Sequence, residues 1–102
     1  MKINMPLKGR VGAIMRTIEK QDEARGSHLL RILCEMPAGS MYTTLERLEE
    51  RGWLSSRVEK IPGEYNAPSR FYRLTEMGRS VMELDRIYIK AQQNIEVKGR
   101  PE

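Results

Sequence analysis

Cysteine and histidine are all but missing from this chain, which has Cys34 as its one cysteine and His28 as its one histidine. A single thiol excludes an internal disulfide, a CxxC redox pair and a thiolate-ligated metal within one chain, and it suits a reducing cytoplasm, the expected location. His28, alone near a helix start, gives no metal set, and Cys34 reads as a buried thiol. Long apolar runs are absent as well. The longest early one, Val11 to Met15, is broken by Gly12, far short of the roughly 20 residues that a membrane span needs. The start, Met1 to Pro6, lacks the apolar stretch of a secretory signal. The sequence also has no phosphate-binding glycine loop, no paired carboxylates at catalytic spacing and no nucleophile with an evident base. An enzyme is therefore not expected, nor is a cofactor or a metal.

What is present is charge. Eighteen Lys and Arg against fourteen Asp and Glu give a net +4 and a pI near 9.5, which points to an anionic partner, nucleic acid first. The excess is concentrated at the front: residues 1–31 carry seven basic and three acidic side chains, whereas 32–75 balance at six and six and 76–102 at five and five. A solvated basic first helix explains the same bias without a partner. At 102 residues and 39% hydrophobic, the chain fits one compact unit whose modest core leaves apolar surface for self-association to cover.

The hydrophobic spacing predicts helices first. Val11, Ile14, Met15 and Ile18 line one face of a helix that is expected to end near Arg25-Gly26. Ser27 offers a cap to a second helix, dense in Leu29, Leu30, Ile32 and Leu33 and so expected to be buried on most sides, and Pro37 closes it. Ala38, Gly39 and Ser40 lead into a third helix with Met41, Leu45 and Leu48 on its core stripe and Gly52 as the left-handed stop. Its other face carries Ser40, Tyr42, Thr43, Glu46, Arg47 and Glu50.

From Trp53 to Ile61 the period becomes two, with Leu54 and Val58 on one side and Ser55, Arg57 and Glu59 on the other. A second strand covers Arg70 to Leu74, and the intervening Pro62 to Ser69, with two prolines and a glycine, forms an extended loop. Thr75 caps a last helix, on which Met77, Val81, Leu84, Tyr88, Ala91 and Ile95 follow steps of 4, 3, 4, 3 and 4, the alternation of a coiled-coil seam. That seam has two readings, packing on the first helix of the same chain or on a second copy. The further apolar residues Met82, Ile87 and Ile89 favour the second copy.

The expected fold class is mainly α with a small antiparallel β-hairpin, a winged helix-turn-helix over residues 1–74 followed by a dimerisation helix at 75–97 and a frayed tail at 98–102. The tight break at Met36 to Gly39 sets the second and third helices at the steep angle that pushes the third into a major groove, and the groove, about 12 Å wide, admits one helix. Candidate DNA contacts are Ser40, Tyr42, Thr43 and Arg47 on the third helix and Lys60, Arg70 and Arg73 on the wing, with Tyr65 and Asn66 near its tip. Arginine reaches guanine edges or phosphate, and hydroxyls suit phosphate. The plainer alternatives are a solvated helix face, with Tyr42 as a packing residue, and a wing whose charges only guard a sheet edge. Trp53 is expected to plug the core after Gly52.

Two segments, Gly39-Ser40-Met41-Tyr42-Thr43-Thr44-Leu45-Glu46-Arg47-Leu48-Glu49-Glu50-Arg51-Gly52-Trp53-Leu54 and Arg70-Phe71-Tyr72-Arg73-Leu74-Thr75-Glu76-Met77-Gly78-Arg79, taken in this order, resemble the PadR family of bacterial transcriptional regulators. The likeness runs from residue 26 to about 80 and is closest to the shorter subgroup, in which a single C-terminal helix makes the dimer. The resemblance implies a homodimeric repressor that binds double-stranded operator DNA through its third helix and wing, with release by a small-molecule effector of unknown identity. Arg70 matches the basic residue that the family carries before its aromatic pair. The chain departs from the family pattern at Ser27, where an aromatic is usual, in a longer wing loop, in a highly charged first helix and in a final helix without tryptophan. A winged-helix module that binds protein rather than DNA is the competing function, supported by Glu46, Glu49 and Glu50.

Overall fold

The computed structural model of the chain describes residues 6–63 and 68–98. In order, it contains α1 (Gly9–Gln21), β1 (Glu23–Arg25), α2 (Gly26–Ile32), α3 (Ala38–Glu50), β2 (Leu54–Glu59), β3 (Ser69–Leu74) and α4 (Glu76–Lys98). β3 lies at the centre of an antiparallel sheet of order β1-β3-β2, with Ala24 opposite Tyr72 and Leu54 opposite Leu74. The architecture is a winged helix-turn-helix, mainly α, with the small sheet as its wing and a long helix closing the chain. The core is the one the spacing predicts: Ile14, Met15 and Ile18 from α1, Leu29 from α2, Met41, Leu45 and Leu48 from α3, and Trp53 behind them. Tyr65 and Asn66 of the expected loop tip, and the tail beyond Lys98, lie outside the described residues.

Several boundaries differ from the sequence reading. α1 stops at Gln21 because Asp22 takes a left-handed φ of 68°, a conformation that Asp tolerates better than most residues. Glu23–Arg25 then pairs along β3, so the expected two-stranded hairpin is a three-stranded sheet in which Ala24 fills the core. α2 starts at Gly26 after an extended Arg25 and has no side-chain cap, so Ser27 lies inside the helix rather than capping it. It is also less buried than its leucines imply: Ile32 is 42% exposed and Cys34, expected to be buried, is exposed. Pro37 opens α3 instead of closing α2, its carbonyl accepting the Met41 N–H at 3.0 Å. A fixed φ and a missing N–H cost nothing at a helix start.

One backbone node ties α3, the wing and α4 together. α3 ends in paired bonds, from the Gly52 N–H to the Glu49 carbonyl and from the Trp53 N–H to the Leu48 carbonyl, both 3.0 Å. This ending needs the left-handed residue that Gly52 supplies at φ 82°. At the far end of the wing, the Thr75 N–H donates to the Trp53 carbonyl at 3.0 Å and its hydroxyl donates to the Gly52 carbonyl. The same hydroxyl accepts the Gly78 N–H at 3.0 Å, the cap expected of Thr75. A Cβ at residue 78 would lie 2.0 Å from the Trp53 oxygen, so the glycine there admits the backbone that closes the wing.

A second tie fixes α4 across α1. Asp85 is 1% exposed, a burial that an unpaired carboxylate would not survive. It accepts the Leu7 N–H at 2.8 Å and the Arg16 guanidinium at 3.1 to 3.3 Å, and Arg16 also donates to the Leu7 carbonyl at 2.9 Å. Beside this network Gly12 is packed so closely that a Cβ would sit 2.6 Å from the Leu7 oxygen.

α4 packs through Val81, Met82 and Asp85. Val81, expected on the seam facing a second copy, instead enters its own chain's core at 3% exposure, because the helix must bury one stripe to dock at all. Met77, Leu84, Ile87, Tyr88 and Ala91 stay exposed, and the Ile95 side chain lies outside the described residues. Among the described residues, no helix is long and apolar enough to cross a membrane.

Alanine at an ordinary helical glycine position gains up to about 1 kcal/mol of stability. Gly78→Ala should instead lower the unfolding free energy in urea by about 2 kcal/mol, since the new methyl group must displace main chain; an unchanged or higher midpoint would contradict the close approach.

Candidate nucleic-acid interface

The core stripe of α3 decides what its outer side presents. With Met41, Leu45 and Leu48 buried, a turn of about 100° per residue carries Thr43, Glu46 and Glu50 to the opposite crest, where all three are exposed. Tyr42 and Glu49 fall on the edge towards the wing; Ser40, Thr44, Arg47 and Arg51 fall on the other edge. None of the Glu46, Glu50 and Arg47 side chains has a hydrogen bond or ion pair with another described residue, so the crest is mixed in charge and free to engage a partner.

The wing-side edge is built. The Ser56 hydroxyl donates to Glu49 at 2.6 Å, and Arg70 donates to the same hydroxyl oxygen at 2.9 Å, so a relay from α3 through β2 holds the β3 guanidinium beside the helix. Tyr42 is half-exposed and also packs: a Cβ at Gly26 would come within 3.3 Å of its ring. Tyr42 and Arg70, with Arg25, Ser27, Pro68 and Ser69, line a cleft of about 330 Å³ between α2, α3 and the wing. Behind it Tyr72 is packed against Ala24, and burial pushes its phenol above the ordinary tyrosine range.

Strand alternation divides the remaining wing cations. Arg57 and Arg73 stand on the sheet face away from the core. Arg57 donates to Glu23 at 2.8 and 3.1 Å, pairs with Glu59 and lies over the Phe71 ring at 4.6 Å. Its hydrogen bonds to Glu23 and Glu59 raise its pKa, and Arg57 in turn holds the Glu23 carboxyl below the usual carboxylate range. Arg73 sits 3.8 Å from Asp22. Of the seven expected DNA contacts, the fold therefore brings Ser40, Tyr42, Thr43, Arg47 and Arg70 to one side and leaves Lys60 exposed just beyond β2, while Arg73 is turned to the other face.

Sequence reasoning missed Arg25, Ser56 and Glu49 as parts of this side. For Ser56 the signal is the register that sets it opposite Tyr72, on the face shared with Arg70, and a register is not written in either strand alone. Among the described residues, no group of three or more His, Cys, Asp or Glu side chains could hold a metal ion.

Solved structures share this fold. The chain is similar to an E. coli MarR mutant complexed with operator DNA, at 16% identity and a TM-score of 0.69, covering 89% of this chain but only 61% of that one. It is similar to a PadR family transcription regulator from hypervirulent Clostridium difficile, at 17% identity and a TM-score of 0.70 over 88% of this chain and 97% of that one. It is also similar to a PadR family transcriptional regulator from Eggerthella lenta, at 22% identity and 0.64, over 91% and 87%. These identities carry the fold alone. No curated protein matches the chain in sequence. The model of the transcriptional regulator PadR-like family matches residues 13–84, well over half of the sequence. The chain belongs to the PadR-like family of transcriptional regulators.

Proposed function

We propose that this regulator is a homodimeric, sequence-specific repressor that lays α3 in the major groove of operator DNA and its wing along the backbone or into the minor groove. The observation that carries the reading is the pairing of an unpartnered α3 crest with Arg70 held alongside it by Ser56 and Glu49. Arg47 is suited to a guanine edge or a phosphate, Ser40, Thr43 and the Tyr42 hydroxyl to phosphate, and Arg70 and Lys60 to the backbone beside the groove. Arg57 and Arg73, engaged by Glu23, Glu59 and Asp22, take no part. Residues 75–97 serve as the dimerisation helix: Leu84, Ile87, Tyr88 and Ala91 repeat at i, i+3, i+4 and i+7 on a face that its own chain leaves uncovered. Two-fold pairing through that face would set the two α3 helices for successive major grooves, about 34 Å apart.

The exposed carboxylates of Glu46 and Glu50 favour the rival reading, a module that binds a basic protein surface. Gel-shift titration separates the two. Arg47→Ala combined with Arg70→Ala should weaken operator binding at least about 100-fold, as loss of one bidentate base contact and one phosphate contact requires, with thermal unfolding little changed; retained affinity would remove both residues from the interface.

Leu84→Glu puts a charge on the uncovered face of α4 and should give monomers in sedimentation at micromolar concentration. An unaltered mass would show that the copies meet elsewhere.

A further inference from the structure

The first helix carries a bias of positive charge that neither α3 nor the wing explains. Lys8 and Arg10 straddle Gly9 at the start of α1, and their backbone is anchored from both sides: the Leu7 N–H is held by Asp85 at 2.8 Å and the Gly12 N–H reaches the Lys8 carbonyl at 3.3 Å. Across from them, Thr44, Arg47 and Arg51 recur at i, i+3 and i+7 along the α3 edge that faces away from the wing. The two sets of residues meet in a cleft of about 250 Å³. Its lining includes four cations and no acid.

Several arginines elsewhere are paired with carboxylates: Arg57 with Glu23 and Glu59, Arg86 with Glu19 and Glu83, Arg16 with Asp85. The side chains of Lys8, Arg10 and Arg47 have no hydrogen bond or ion pair with another described residue, and the Arg51 side chain only lies over the Trp53 ring, 5.3 Å from its centroid, which orients the guanidinium without neutralising it. A concave site that gathers like charges from two distant parts of the chain is stable only with an anion in it or in solvent that screens it.

We propose that this α1–α3 cleft takes a backbone phosphate of the bound DNA, on the strand flanking the major groove opposite the one followed by the wing. The inference rests on the reading of α3 as the recognition helix. In it, Lys8 and Arg10 form a second clamp that, with Arg70 across the helix, grips the two groove walls and leaves the crest of α3 to read bases. Phosphate contacts of this kind fix register and carry no sequence information.

The test uses the full chain and a DNA site enriched from a random duplex pool. For Lys8→Gln/Arg10→Gln, affinity near physiological salt should fall about tenfold and the slope of log affinity against log salt should shrink by about one per protomer, the loss of one neutralised phosphate. The enriched sequence and the thermal unfolding should not change. An unaltered slope, with binding still abolished by the Arg47 and Arg70 substitutions, would overturn this clamp and leave recognition by α3 standing. If inorganic pyrophosphate raises the melting temperature of the wild type but not of the double variant, and the slope is unaltered, the cleft serves a free anion and the backbone assignment is wrong. A wild-type chain that enriches no DNA at all would remove the reading beneath the inference.

Discussion

Two adjacent backbone carbonyls, of Gly52 and Trp53, hold the functional half of this molecule in place. Gly52 ends α3, Trp53 leads into the wing, and both carbonyls accept from Thr75, the residue that leaves the wing and caps α4. Where α3 stops, where both strands of the wing are rooted and where the last helix begins are thus one constraint rather than three. The buried Trp53 ring lies at the same point, and the bonds of the node are themselves partly buried, where they are worth more than on a surface. Gly78 belongs to the same device, because any side chain there would collide with the Trp53 oxygen.

With the wing rooted, electrostatics sorts its two faces. The face away from α3 pairs its charges internally, through Arg57 with Glu23 and Glu59 and through Arg73 near Asp22. Exposed pairs of this sort contribute little to stability, about 0 to 1 kcal/mol each. On the α3 side, by contrast, Arg47, Lys8 and Arg10 have no carboxylate partner among the described residues and line one cleft together. Arg70 joins them through a hydroxyl rather than an acid, so it keeps its charge available while being held in position. Asp85 has a complementary part at the other end, since it fixes the start of α1 and so the placing of Lys8 and Arg10.

Much of this was legible in the sequence. Helical periodicity gave the core face of α3 and, Val11 being only partly buried, most of that of α1; Gly52 marked the end of α3 and Thr75 the start of α4, because each signal depends on neighbours within a turn or so. β1 was not legible: Glu23-Ala24-Arg25 has no strand character and is extended only because β3 offers an open edge. Pro37 was read as the end of one helix when it begins the next, a choice that proline chemistry leaves open. Val81 and Met82 both fit an apolar stripe, and only the docking angle of α4 decides that they face inward while Leu84 and Ile87 do not. Of the candidate interface, the exposed face of α3 followed from the helix period and the choice of Arg70 from the family pattern. The Glu49–Ser56–Arg70 relay and the α1–α3 cleft required the tertiary arrangement.

The central claim is that the crest of α3, repeated by two-fold symmetry, reads DNA. Its most direct measurement is selection of bound sequences from random duplex DNA by the full chain. The account predicts an enriched inverted repeat whose half-site centres lie about one helical turn apart; enrichment of nothing, or of a motif without two-fold symmetry, would contradict it.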